Sequence, residues 1–481
     1  MKRLVAASAI LSAMLGACAS VPPQTGGVDA FGPCPQEAGH PELAGSICTV
    51  QSVALNPAAP EGEQIDLFVR KFPATGDRIG EFWMLAGGPG EAGTSFYTRI
   101  ADLQARFPGY DVLIPDHRGT GRSARLCTGE TLGSEAGTAL AGSEFGPCFG
   151  DIWAQSERTM QFSMTHAAHD LDTLIARLGG EGERWVYAVS YGTGLALRFG
   201  QLHEASVDGL ILDSLVPALD DTQHDLSHRS HTVDLVGRRV LAACAADPAC
   251  DGRFEGGIEA AYAGLLADIA AGHRADIAET LPGGNLRHTL GTMLDVPAAR
   301  ARIPDMIDIA IDRPQALGAF YTGEVVPAFD ALSAVSDYEA SAFSITLAGL
   351  IGVSETNRRP DMTAEAVAAE EAELWFTSPL TQLQTRTSMP AYARDEWFDA
   401  PYADMPPVLV VHGTLDPKTT LEGARHHIAA LEAGGTGVTL VTVERAPHAS
   451  WYFAPDCLYD AMEDFIDGDA VAERCTPASM P

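Results

Sequence analysis

Seven short apolar runs, most of them rich in β-branched residues, recur along the chain, each followed by a turn and a helical pattern. They are Ile65–Val69, Phe82–Leu85, Val112–Ile114, Trp185–Val189, Leu210–Leu212, Val408–Val411 and Val438–Val443. Strands that alternate with helices predict a mainly parallel sheet covered on both faces, because a parallel connection needs a crossover long enough for a helix. The rhythm breaks between residues 217 and 399, where alanine-rich segments of 3.6-residue period take over, among them Val236–Ala246, Gly257–Ala271 and Ala364–Trp375. The expectation is an α/β core in two pieces, 18–216 and 400–481, split by a helical cap at 217–399.

Residues 1–17 read as an export signal. Lys2 and Arg3 precede the apolar stretch Leu4–Leu15, which is too short to span a bilayer. Leu15-Gly16-Ala17-Cys18 then resembles a lipobox, so Cys18 is expected to be acylated and to hold the protein at the cell envelope, outer membrane by preference. No other contact with a membrane is expected. The formal charge of −33 and a total of three lysines, Lys2, Lys71 and Lys418, argue against a nucleic-acid partner, since such binding depends on neutralising phosphates.

The remaining eight cysteines fall into neighbouring couples, Cys34/Cys48, Cys127/Cys148, Cys244/Cys250 and Cys457/Cys475. The sequence alone does not fix the pairing. Local pairing within exposed segments is the simplest arrangement, each couple closing a loop of about 6 to 21 residues. No CxxC or Cys/His spacing suggests zinc.

The chemistry concentrates at the ends of the apolar runs. Trp185–Val189 leads directly into Ser190-Tyr191-Gly192 and a helical pattern, the setting of a nucleophile elbow, with Ala188 where glycine is usual. Phe82–Leu85 ends in Ala86-Gly87-Gly88-Pro89-Gly90, whose backbone can approach a developing oxyanion. Pro89 has no N–H, so the expected donors are the amides of Gly88 and Tyr191. After the cap, Asp416 follows one strand and His448 the next. Ser190, Asp416, His448 is the chain order of an α/β-hydrolase triad. Asp213 and Asp116 are rival acids, and His412 and His166 rival bases. Asp116 and Arg118 are read instead as structural residues that hold loops through charge-assisted hydrogen bonds. His224, His228 and His231 share a helical face, but Asp221, Asp225 and Arg229 around them suggest a solvated stretch, so no metal is assigned. No phosphate loop, dinucleotide fingerprint or haem motif is present, and no cofactor is implied.

Gly87-Gly88-Pro89-Gly90, Asp116-His117-Arg118-Gly119-Thr120-Gly121-Arg122-Ser123, Val189-Ser190-Tyr191-Gly192-Thr193 and His412-Gly413-Thr414-Leu415-Asp416-Pro417 together resemble the prolyl/tripeptidyl aminopeptidase family of α/β hydrolases. The Cys457/Cys475 couple resembles that family's C-terminal extension. Ala86, His117 and Ala188 depart from the family pattern and point away from narrow proline specificity. The resemblance implies a serine exopeptidase acting on a free N-terminus. It also implies a cap carboxylate that holds the substrate's ammonium, a position that Glu355 matches. An esterase or amidase on small acyl compounds would use the same triad, and a non-catalytic binding lipoprotein would leave it idle.

Overall fold

The computed structural model describes residues 30–333, 337–385, 388–478 and 480. The export segment 1–17 and Cys18 lie outside the described residues. Ten strands form one sheet in the order β1-β2-β3-β5-β4-β6-β7-β8-β9-β10. They are β1 Gly32–Pro33, β2 Ile47–Ala54, β3 Gln64–Phe72, β4 Gly80–Leu85, β5 Tyr110–Pro115, β6 Glu183–Val189, β7 Gly209–Asp213, β8 Val408–Gly413, β9 Val438–Val443 and β10 Arg474–Cys475. The pairings from β5 through β4 to β10 are parallel, while β1, β2 and β3 join antiparallel at one side.

The central strands read as continuous apolar runs because both of their faces are buried. In β4, Trp83 and Leu85 enter the core on one face, and Phe82 and Met84 the core on the other. The first core is closed by the helices Met164–Leu178, Tyr191–Leu202 and Leu421–Ala433, through residues such as Leu171, Leu195 and Ile428. The second is closed by Phe96, Ile100, Trp451 and Leu458.

Between β7 and β8 the chain forms a set of helices with a core of their own, built on Val236, Tyr262, Leu290, Met306 and Phe376. One of its helices, Ile345–Ser354, departs from that grouping. Its Leu347, Leu350 and Ile351 pack into the sheet's first core, so the cap is fastened to the sheet as well as inserted between two strands. Cysteine placement differs from expectation in one respect. Cys48, Cys127, Cys148, Cys244 and Cys457 are buried, so the Cys127–Cys148 bridge lies inside the protein, and Cys34–Cys48, Cys244–Cys250 and Cys457–Cys475 each join a buried cysteine to a half-buried one rather than lying in exposed segments.

Candidate active site

Strands β4, β6, β7, β8 and β9 are mutually parallel, so the loops after them open at one edge of the sheet. Ser190 stands between β6 and the helix Tyr191–Leu202 with φ 56° and ψ −128°, a strained conformation for a residue with a side chain. The surroundings hold it there. Its amide donates to the Asp213 carbonyl at 3.0 Å, and its carbonyl accepts from the Thr193 amide at 2.8 Å. Such a turn requires a close approach between helix and strand. A Cβ on Gly192 would lie 2.6 Å from the Leu85 carbonyl oxygen, and one on Gly87 would lie 2.9 Å from the Ser190 Cβ. Glycine at both positions lets the loop after β4 lie against the serine. Ala188, two residues before Ser190, is fully buried in the sheet, where a methyl group fits.

Gly88 and Tyr191 line the same cavity as Ser190, and neither of their amides donates to a protein acceptor among the described residues. Tyr191 also opens its helix, so the positive end of the helix dipole points to the same place.

His448 Nδ1 lies 2.8 Å from Asp416 Oδ2. The same carboxylate oxygen accepts from the Thr419 hydroxyl at 2.8 Å, and Oδ1 accepts from the amides of Lys418 and Thr419 at 2.8 and 2.9 Å. Burial pushes the Asp416 carboxyl up, but the charge and hydrogen bond of His448, with His412 and the Thr419 amide, outweigh it and hold the group well below the usual carboxylate range. Ser190 and His448 share the wall of a second cavity.

The rival residues are occupied elsewhere. Asp213 accepts from the Tyr187 hydroxyl and from the amides of Ser450 and Trp451, and so pins the loop that carries His448. Asp116 accepts from the amides of Gly93 and Arg122, while Arg118 makes a two-pronged contact with Asp170 at 2.7 Å and binds the carbonyls of Leu55 and Gln161. His412 Nε2 is 2.6 Å from the Thr419 carbonyl, and His166 Nδ1 is 2.9 Å from the Gln161 carbonyl. Each of the three cap histidines faces a carboxylate, His224 with Asp221, His228 with Asp225 and His231 with Glu370.

Glu355, just past the helix Ile345–Ser354, lines the cavity that holds Ser190, Gly88 and Tyr191. It is 3% exposed. The Tyr392 hydroxyl donates to its Oε1 at 2.6 Å, whereas Oε2 is buried without a partner. Burial raises the carboxyl above its ordinary value, against the Tyr392 hydrogen bond and the charge of Arg198. Thr419, Tyr392 and the bracing role of Asp213 escaped the reading of the sequence. None stands in a motif, and Tyr392 reaches Glu355 only through the folding of the cap.

Two families match this chain. The alpha/beta hydrolase fold family covers residues 83–253, and the family described as TAP-like protein covers residues 380–474. The tripeptidyl aminopeptidase of Streptomyces lividans is 29% identical over 192 residues, 35% of this chain and 35% of that protein. Serine protease Hip1 of Mycobacterium tuberculosis is 26% identical over 227 residues, 43% of each chain. The chain thus spans less than half the length of these curated relatives. With the nucleophile-type turn inside the first matched region and Asp416 and His448 inside the second, the chain is a TAP-like α/β hydrolase.

Proposed function

We propose that the protein is an exported serine aminopeptidase that cleaves peptides from a free N-terminus through Ser190, His448 and Asp416. The observation that carries this reading is Glu355, a buried carboxylate with one unpartnered oxygen in the Ser190 cavity. A buried charge without a partner is costly, and a substrate ammonium would supply one. The matches to a tripeptidyl aminopeptidase and to a serine protease support the same class of substrate.

In the reaction His448 takes the Ser190 proton as Oγ attacks the scissile carbonyl, with Asp416 orienting the imidazole through Nδ1. The amides of Gly88 and Tyr191 hold the negative oxygen. His448 then passes the proton to the leaving nitrogen, the C–N bond breaks, and an ester to Ser190 remains. Water, deprotonated by His448, attacks that ester and releases the N-terminal fragment. The four disulfides support export, since such bridges persist in oxidising compartments. Acylation at Cys18 is the proposed anchor.

Ser190→Ala should remove at least about a thousandfold of kcat on free-amine peptide anilides and on esters alike, with the circular dichroism spectrum retained. Residual activity near the wild-type level would sink the assignment. Equal wild-type rates on free and N-acetylated anilides would favour the esterase or amidase reading instead.

A further inference from the structure

The cavity that holds Ser190 and Glu355 carries a second charge without a counter-charge. Of the other titratable side chains along its wall, His224 pairs with Asp221 at 3.0 Å and Lys418 with Asp295 at 3.4 Å, while Asp225 accepts from His228, the Ser227 hydroxyl and the Arg358 amide. Arg229 lines the same cavity and makes no ion pair among the described residues. Its Nη1 donates to the Pro417 carbonyl at 3.2 Å, and Nε is buried without an acceptor. Burial lowers the guanidinium's pKa against the attraction of Asp295 and Asp416. Both of those carboxylates are engaged elsewhere, Asp295 by Lys418 and Asp416 by His448.

Helix stability does not account for this residue. Arg229 opens the 17-residue helix Arg229–Ala245, where the positive end of the helix dipole disfavours a cation. A buried cation lacking an anion is costly for the same reason as the buried carboxylate of Glu355. A substrate fragment that bears both an ammonium and a carboxylate would satisfy the two together.

We infer that Arg229 binds an acidic side chain of the substrate, so that the enzyme prefers glutamate or aspartate immediately before the scissile bond. This rests on the aminopeptidase reading above and adds a side-chain preference to it. The position follows from what surrounds each charge. Arg229 is anchored on Pro417, the residue after Asp416, and its charged neighbours are Asp295 and Asp416, which places it at the catalytic end of the cavity. Glu355 neighbours Arg198, Asp395 and Arg394 instead. With the scissile carbonyl at the Gly88 and Tyr191 amides and the ammonium directed to Glu355, the side chain nearest Arg229 is that of the residue bearing the carbonyl. Because Nη1 is taken by Pro417, the Nε and Nη2 edge is left for a carboxylate, which it can hold through two parallel hydrogen bonds. Glutamine has nearly the same shape but brings no charge and forfeits the pair.

The test uses the full chain and free-amine anilides in matched pairs, glutamyl against glutaminyl and Ala-Ala-glutamyl against Ala-Ala-glutaminyl, so that release of one residue or of three is covered. In whichever pair is cleaved, kcat/KM should be about 10-fold or more higher for the glutamyl member. Arg229→Met should bring that ratio close to one, and Arg229→Lys, which keeps the charge and loses the planar fork, should retain part of it. A wild-type ratio near one, cleavage of alanyl but not glutamyl anilides, or a ratio that survives Arg229→Met would each overturn the inference while leaving an aminopeptidase. N-acetylated forms cleaved as fast as the free amines would overturn the aminopeptidase reading and leave Arg229 to be judged by the same ratio. Absence of cleavage of every anilide by the wild type would overturn both.

Discussion

Asp416 and Glu355 are buried carboxylates whose environments push them in opposite directions. Asp416 receives hydrogen bonds on both oxygens and faces His448, so its folded-state pKa is depressed despite burial. Its contribution to stability is therefore complete above the ordinary carboxylate value, about 3.9, and is lost only as pH falls through the lower folded value. Asp416→Asn should reduce kcat by about 10³ to 10⁴, because His448 loses its orienting acceptor, with a much smaller change in KM. Steady-state kinetics on a free-amine anilide measures both. Glu355 is raised by burial. The unfolded chain then releases this proton before the folded one does, so stability falls as pH rises through the interval between the two values. Glu355→Gln should raise Tm at neutral pH by a few degrees. In the wild type, KM for free-amine substrates should climb as pH drops through the raised Glu355 pKa, since a neutral carboxyl does not pair an ammonium. Ser190, Asp416 and His448 were legible because each lies one turn beyond an apolar run. Thr419 was not, because its hydrogen bond to Asp416 depends on the local path of a loop that no periodicity encodes.

At the scale of elements, the close approach of the helix Tyr191–Leu202 to the end of β4 sets the distance between serine and oxyanion loop. Gly192 is where they meet. Gly192→Ala places a methyl group 2.6 Å from the Leu85 carbonyl oxygen and must drive the two elements apart. We expect a loss of at least about tenfold in kcat, with KM altered less, because the displacement falls on transition-state contacts. The parallel strands could be read from the sequence because double-sided burial writes them as unbroken apolar runs. β2 could not: Thr49, Gln51 and Ser52 interrupt Ile47–Ala54, and its place is decided by antiparallel pairing with β3. β10 is two residues long and owes its position to β9 and to the Cys457–Cys475 bridge. The fastening of Ile345–Ser354 to the sheet was also hidden, since an apolar helix does not declare which of two cores it joins.

Across the whole molecule, the cap core and the two sheet cores are separate, and the catalytic cavities lie on the seam between them. The sheet brings Ser190 and its loops to these cavities, and the cap brings Glu355 to the cavity that Ser190 lines. The formal net charge of −33 has the sign that favours the approach of a cation, and we propose that it aids capture of a free ammonium. Raising ionic strength from about 0.01 to 0.15 M should lower kcat/KM severalfold for a free-amine anilide and much less for a neutral ester, since the Debye length falls from about 30 to 8 Å. We propose that Glu355 reads the substrate's N-terminus for Ser190. The most direct test is the ratio of kcat/KM on an alanyl anilide to that on its N-acetyl counterpart, in wild type and in Glu355→Gln. The wild-type ratio should be about 100 or more and should collapse by at least tenfold in the variant. A wild-type ratio near one, or a high ratio that survives the loss of Glu355, would contradict it.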